Sequence, residues 1–473
     1  MIFKTVSNTI KRALKSLGYD LSKVSNIDFD INNLNLVKNS EEKVLQAETL
    51  VKKYPNNPKV YYKFAESLYQ SKNPSTFEAF TEFGNIRRKW LKESGLGELD
   101  VEFVNSVMLT GSLGNSYAIE NLIRANSLGL RKKKNILMFV KKNEKFRNNC
   151  LTKYFSKYIN IIREDDTNLE IKNFSSLLAL PLGLCLPTDN ECLFLDAAAN
   201  RCESKEEESK KKNYIFSLDE KDLENGKKSL KKFGLPDDAW YVTLHIRQVG
   251  YRNETKENTK ENFRNSNPDN YIKAIKRITD AGGWVFRMGD SSMTPLPKMN
   301  QLIDYANSSL KSDSLDIFLG ATSKFCIGTD AGYLRIPRFF GVPVILTNCS
   351  TSIIYYSLKK NDLYLPRLIK KKINNESINL NQMMTSPLAL YVSDDNFKKS
   401  GLYTIENSPE EIDSAVIQMM QSIENKQTNN SEYKKQNLAF KEVVEKKGTL
   451  HPSSLTAFAA CSSEFLTKNK NLF

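Results

Sequence analysis

Residues 267–291 read NPDNYIKAIKRITDAGGWVFRMGDS, and this stretch decides the fold. Asn267 carries the side-chain oxygen that caps a helix, Pro268 has the fixed φ of a first turn, and Gly282 is the residue that ends one. A helix is therefore expected over Pro268–Ala281, followed at once by a strand over Trp284–Met288. Working outward, the same alternation continues. Tyr241–Ile246 reads as a strand before it. A helix closing over Leu315–Gly320 and strands at Phe325–Gly328 and Val342–Thr347 follow. Strands alternating with helices imply a parallel sheet covered on its faces.

A second series lies upstream. Val104–Leu109 reads as a buried strand and runs into Gly111-Ser112-Leu113-Gly114-Asn115. A helical pattern through Ile119, Leu122, Ile123 and Ala125 then ends at Gly129. Ile136–Val140 and Tyr158–Ile162 are the next strands. Between the two series, Glu203–Lys212 reads ESKEEESKKK and is expected to be an exposed loop. Ahead of both, residues 40–95 carry helical periodicity broken by Tyr54-Pro55-Asn56-Asn57-Pro58, which resembles one tetratricopeptide-type hairpin. The expected organisation is a helical region over 1–98, a Rossmann-like acceptor domain over 99–220, and a Rossmann-like donor domain over 221–425. C-terminal helices over 426–473 would pack back across them. The fold class is α/β, with two Rossmann-like domains facing a cleft and a helical N-terminal region.

The bulk numbers narrow the function. The chain has 473 residues and a formal net charge of +14, which favours anionic partners. The basic runs Arg131–Lys134 and Lys370–Lys372 lack interleaved aromatics, so nucleic acid is not expected. Seven scattered cysteines and two histidines, His245 and His451, do not form a zinc or disulfide pattern. No apolar run is long enough for a membrane span. Residues 1–18 place Ile2, Phe3, Val6, Ile10, Ala13, Leu14 and Leu17 on one stripe, with Lys4, Lys11, Arg12 and Lys15 off it. Two readings stand, a helix packed on the rest of the protein and a basic amphipathic helix resting on anionic lipid.

In a doubly wound sheet the ligand binds beyond the carboxyl ends of the strands. Those ends deliver His245 and Arg247, then Arg287, Gly289, Asp290 and Ser291, then Gly328, Thr329, Asp330, Ala331 and Gly332, and finally Asn348. Small residues and a helix N-terminus suit a phosphate, and Arg247 with Arg287 would grip it bidentately. No Asp-x-Asp pair occurs in this region, so neither metal nor other cofactor is expected. A proton acceptor would come from Glu120, Asp269 or Asp290. Against that role, Glu120 reads as a solvated helix face, Asp269 as an ordinary first-turn acid, and Asp290 as a ribose or sugar contact. His245 reads as a buried residue holding Arg247. Arg264 and Asn265, like Gly111, Ser112, Gly114 and Asn115, would line the acceptor side, or else cap turns. Trp240 and Trp284 read as core.

The segments GLPDDAWYVTLHIRQVGY, FRNSNPDNY, GGWVFRMGD, PLPKM, IDYA, SDSLDIFLGA, IGTDAG and FFGVPVILTN, in order over Lys221–Pro366, resemble a family of bacterial glycosyltransferases of the GT-B architecture associated with surface polysaccharide. Gly111–Gly129 and the tail from Gly448 to Phe473 resemble it more loosely. His245-x-Arg247 is similar to the HxR element of fucosyltransferases, whose arginine contacts the donor diphosphate. Thr329-Asp330-Ala331-Gly332 with Gly341-Val342-Pro343 is similar to the donor loop of lipopolysaccharide heptosyltransferases. Two positions depart from the pattern. Asp330-Ala331-Gly332 stands where such relatives more often have Ser-Ser-Gly or Asp-Ser-Gly, and Asn115 stands where a histidine is usual. The resemblance implies metal-independent sugar transfer from a nucleotide sugar to a glycan, lipid-linked saccharide or protein acceptor. It further implies a cytoplasmic enzyme, at rest on the inner membrane where residues 1–18 are lipid-bound. The alternatives are a non-catalytic partner in glycan assembly and a sugar-nucleotide epimerase of the same fold.

Overall fold

A computed structural model describes residues 26–132, 134–164, 179–210, 214–250, 255, 259–385, 387–425, 431–446 and 455–472. The helix expected in residues 1–18 lies outside them, as does His451. The chain forms two compact units, Met1–Arg147 with Phe155–Ala198, and Asn148–Tyr154 with Ala199–Phe473.

The first unit begins with helices α1 (Asn26–Leu36), α2 (Ser40–Lys53), α3 (Pro58–Ser71) and α4 (Thr76–Glu93). Asparagines set the entries. The Asn39 side chain accepts from the Glu41 and Glu42 amides, and Asn57 accepts from those of Lys59 and Val60. The Pro-Asn-Asn-Pro turn thus stops one helix and caps the next. Helix α3 packs on both α2 and α4, burying Ala47, Val60, Ala65, Leu68, Phe80 and Phe83.

A three-stranded parallel sheet follows, β1 (Val101–Asn105), β2 (Asn135–Lys141) and β3 (Ile159–Glu164), in that order. The apolar run Val104–Leu109 is not one strand. The Asn105 side chain accepts from the Val107 amide at 3.0 Å, and this local turn ends β1 and starts α5 (Val107–Thr110). Helix α6 (Ser116–Ser127) crosses to β2, and the hairpin β4 (Cys185–Pro187) and β5 (Cys192–Phe194) leads into α7 (Leu195–Ser209). Over Glu203–Ser209, which belong to the second unit, that helix corrects the loop expected at Glu203–Lys212. Glu, Lys and Ser do not break a helix, and Cys202, Glu203 and Glu206 fall on its buried side.

The second unit is built on a seven-stranded sheet in the order β14-β11-β10-β9-β6-β7-β8. Its strands are β6 (Tyr241–His245), β7 (Trp284–Met288), β8 (Leu302–Ile303), β9 (Cys326–Gly328), β10 (Val344–Cys349), β11 (Leu363–Pro366) and β14 (Ala460–Cys461). Each neighbouring pair runs parallel. Every residue of β6, β9 and β10 is buried, as a sheet covered on both faces requires. A separate antiparallel ribbon joins β12 (Leu368–Lys371) to β13 (Leu402–Ile405).

The covering helices include α8 (Glu220–Lys232), α9 (Ile272–Asp280), α10 (Asp313–Thr322), α11 (Arg335–Phe339), α12 (Pro409–Ile423) and α13 (Ser431–Lys446). Residues Pro268–Tyr271 form a 3-10 turn ahead of α9, with the Asn267 side chain accepting from the Asp269 amide. Gly282 follows α9 at φ +82°. No described helix is long and apolar enough to cross a membrane.

Candidate functional site

The chain runs from β6 to β7 and β8 on one side, then returns to β9 on the other side of β6. The β6–β9 gap is therefore the topological switch point, where a sheet of this kind opens a crevice at its carboxyl edge. Two hydrogen bonds join the strand ends there. The Arg247 amide donates to Thr329 Oγ1 at 2.9 Å, and the Thr329 amide donates to the His245 carbonyl at 3.1 Å. Arg247 lies just past the end of β6, so its side chain is not trapped between the sheet's faces.

Its guanidinium is fixed from several directions. Nη1 donates to Asn265 Oδ1 at 2.5 Å and to the Glu261 carbonyl at 3.2 Å, while Nη2 meets Glu261 Oε2 at 2.9 Å. A second guanidinium shares that carboxylate oxygen, since Arg264 Nη1 lies 2.7 Å from Glu261 Oε2. Arg264 also grips the loop after β9. Its Nη2 donates to the Asp330 carbonyl at 2.7 Å and its Nε lies 3.2 Å from Asp330 Oδ2. Burial works against the Arg264 charge, but Asp330 and Glu261 outweigh it and hold the group above its ordinary range.

The Arg264 loop is pinned from behind. Asp394 accepts from the Asn262 and Phe263 amides at 2.7 and 2.8 Å. Arg367 Nη2 donates to the Asn265 carbonyl and to Ser266 Oγ. The arrangement thus presents two oriented guanidinium groups beside the backbone of Thr329 and Asp330. Paired guanidinium groups of this kind are the donor set that phosphate and carboxylate ligands use.

Other expected residues are placed differently. Arg287 lies inside β7 and is completely buried. It pairs with Asp304 at 3.2 Å and donates to Gln248 Oε1 and the Thr294 carbonyl. A side chain so enclosed braces the loop after β7 rather than gripping a phosphate. In that loop Asp290 accepts from the Ser292 amide at 2.9 Å, Ser291 is exposed, and Gly289 has φ +141° with Met293 packed against it. Gly328 is required by packing, because a Cβ there would meet Leu334 at 2.5 Å and the His245 carbonyl at 2.9 Å. The helix after Gly332 is only a 3-10 turn, Gly332–Leu334 starting from Ala331, followed by the five residues of α11.

Asn348 is a structural brace. It is buried with φ +54°, at the point where the β10–β11 register shifts. It exchanges two hydrogen bonds with Asn407, at 2.6 and 2.7 Å, and donates to the Tyr271 hydroxyl at 3.0 Å. His245 stacks on Tyr333 with ring centroids 5.6 Å apart, and its Nδ1 has no hydrogen-bond partner among the described residues. Burial, reinforced by the Arg287 charge, pushes its pKa down to about 4, so the ring is neutral. It supports the strand end through its carbonyl rather than holding Arg247 with its ring.

The remaining expected residues, Asp269 apart, belong to the first unit. Asn115 ties its loop together, donating to the Val107 carbonyl at 3.1 Å and accepting from Ser112 at 3.0 Å. Gly111 leaves room for that bond, since a Cβ would meet Asn115 at 2.5 Å. Gly114 lies in the 3-10 turn before α6. Glu120 is neither a solvated face nor an accessible base. Its side chain is 2% exposed and lies 3.9 Å from the equally buried Arg124 on α6. Asp269 keeps its first-turn position.

Sequence reasoning missed Glu261, Gln248, Arg367, Asp394 and Asn407. Only Glu261 had a signal, an acid in the loop between Arg247 and Arg264.

No family model matches the chain, and no curated protein matches it. Among solved structures it is similar to a glycosyl transferase family 9 protein from Veillonella parvula DSM 2008. The TM-score is 0.31 at 10% identity, over 52% of this chain and 79% of that one. It is also similar to TibC, an iron-containing dodecameric glycosyltransferase from enterotoxigenic E. coli H10407. There the TM-score is 0.30 at 13% identity, over 55% of this chain and 59% of that one.

Proposed function

We propose that the chain transfers a sugar from a nucleotide-sugar donor to a glycan, lipid-linked saccharide or protein acceptor, without a metal ion. The observation that carries this reading is the position of Arg247 and Arg264 at the β6–β9 switch point, beside Thr329 and Asp330. Glycosyl transfer expels a nucleoside diphosphate, on which negative charge grows as the glycosidic bond breaks. Two guanidinium groups already held in place stabilise that charge without reorganising. In this reading Arg247 touches the diphosphate, Arg287 and Gln248 position the loop carrying Asp290 and Ser291, and that loop faces the donor's ribose or sugar. Glu120 is given no base role.

The test is a thermal-shift screen of the full chain against nucleotide sugars and nucleoside diphosphates, with Mg²⁺ and with a chelator. Ligand at about 100 times its Kd adds about 2.7 kcal/mol to stability. The reading expects a selective shift, indifferent to chelator, that disappears in Arg247→Ala. A folded protein unmoved by every member of the panel would sink it.

A further inference from the structure

The bridge between the two arginines is itself part of the chain. One oxygen of Glu261 lies 2.9 Å from Arg247 Nη2 and 2.7 Å from Arg264 Nη1. That is the contact a phosphate oxygen makes with a pair of guanidinium groups. We infer that Glu261 is a built-in competitor for the anion site: its carboxylate holds the place of a ligand phosphate and swings out when the ligand binds. This rests on the anion site proposed above and adds a residue that sets its affinity.

Three observations support it. First, Glu261 is the outermost member of the cluster. Its side chain is 37% exposed, against 12% for Arg247 and 25% for Arg264, so a ligand arriving from solvent meets the carboxylate first. Second, neither arginine depends on that carboxylate for its position. Arg247 keeps Asn265 Oδ1 and the Glu261 carbonyl, and Arg264 keeps the Asp330 carbonyl and carboxylate. Third, the backbone need not move. Asp394 fixes the amides of the next two residues, so rotation of the Glu261 side chain alone clears the site.

The electrostatics give the device its consequence. Among the described residues, two arginines face two carboxylates, Glu261 and Asp330. Moving Glu261 out makes that set more positive by one charge, which favours an anion. The site is therefore closed to stray monoanions and opens to a ligand able to engage both arginines at once, as a diphosphate can.

Inorganic pyrophosphate is the direct probe, titrated calorimetrically into the full-length protein. Glu261→Gln keeps the shape and removes the competing charge. It should tighten pyrophosphate binding roughly tenfold, the equivalent of one or two partly exposed ion pairs that no longer have to be broken. Glu261→Asp, whose shorter arm cannot span both guanidinium groups, should fall between. Arg264→Ala and Arg247→Ala should weaken binding. If Arg247→Ala loses binding while Glu261→Gln binds no tighter than wild type, the competitor is overturned and the anion site stands. A Glu261→Gln variant that binds more weakly also overturns it, because Glu261 would then be a structural support. If neither the wild type nor folded Glu261→Gln binds pyrophosphate, both the site and the competitor fall.

Discussion

His245 shows how a buried side chain at the switch point couples chemistry to stability. Its pKa lies at about 4 in the folded chain, against an ordinary value of 6.5. Unfolding lets the ring take a proton throughout that interval, so the unfolded state binds more protons and stability rises with pH there. The contribution is complete above pH 6.5 and is lost as pH falls toward 4, an effect of about 3 kcal/mol in all. Urea unfolding of wild type and His245→Asn at pH 7 and pH 5 checks this: the gap between them should narrow markedly at the lower pH. A gap independent of pH would show that the ring titrates normally. Asn348 makes a different prediction. Alanine there strands the Asn407 amide, leaves the Tyr271 hydroxyl with Thr347 alone of these two partners, and keeps an unfavourable φ of +54°. The expected loss is about 2–4 kcal/mol, read as a lower denaturation midpoint. A donor contact alone would instead lower ligand affinity and leave stability unchanged. The sequence shows that polar residues follow the strands but not which of them face a ligand. Arg247 stands beyond its strand, Arg287 within its strand, and Asn348 on a register shift. Strand ends and bulges at single-residue precision are properties of the folded sheet, not of local composition.

Elements were more legible than side chains where local signals agreed. Trp284–Met288 is a strand as read, and Asn267 caps the helical segment that Gly282 follows. Two elements were misread because a local interaction overrode the hydrophobic pattern. The Asn105 side chain cut one apolar run into a strand and a helix. The run from Glu203 had no apolar residues to declare a period, yet it continues α7 because its upstream turn, Ala197–Ala199 and Cys202, is buried. Helix α8 supplies a test at this scale. Gly226 is its buried contact point, and a Cβ there would meet the Phe318 ring on α10 at 2.0 Å. Alanine ordinarily favours a helix over glycine by about 1 kcal/mol, but overpacking a filled core costs about 1–3 kcal/mol. Gly226→Ala should therefore destabilise the second unit in thermal unfolding. Gly226→Ala combined with Phe318→Leu should recover part of the loss. Failure of the double variant to recover would place the cost elsewhere than in this contact.

Charge is a property of the whole molecule, and at +14 it attracts any anionic surface. The question is whether that attraction is spread over the chain or concentrated in one segment. Read as a helix, residues 1–18 would set Lys4, Lys11, Arg12 and Lys15 beside an apolar stripe, whereas Lys370–Lys372 form a basic run without one. Near an anionic membrane each basic residue contributes about 1 kcal/mol, and the effect fades within a Debye length of about 10 Å at 0.1 M salt. Apolar insertion, by contrast, is short-ranged and insensitive to salt. Flotation with phosphatidylserine-containing vesicles separates these terms. Reversing the four charges in residues 1–18 to Glu should abolish binding at roughly 0.1 M salt, while reversing Lys370, Lys371 and Lys372, a similar change in net charge, should leave most of it. Replacing Phe3 and Leu14 with Ser should weaken the fraction that survives at roughly 0.5 M salt, because that fraction rests on the stripe. Equal losses from the two charge reversals would instead make the attraction a general consequence of net charge.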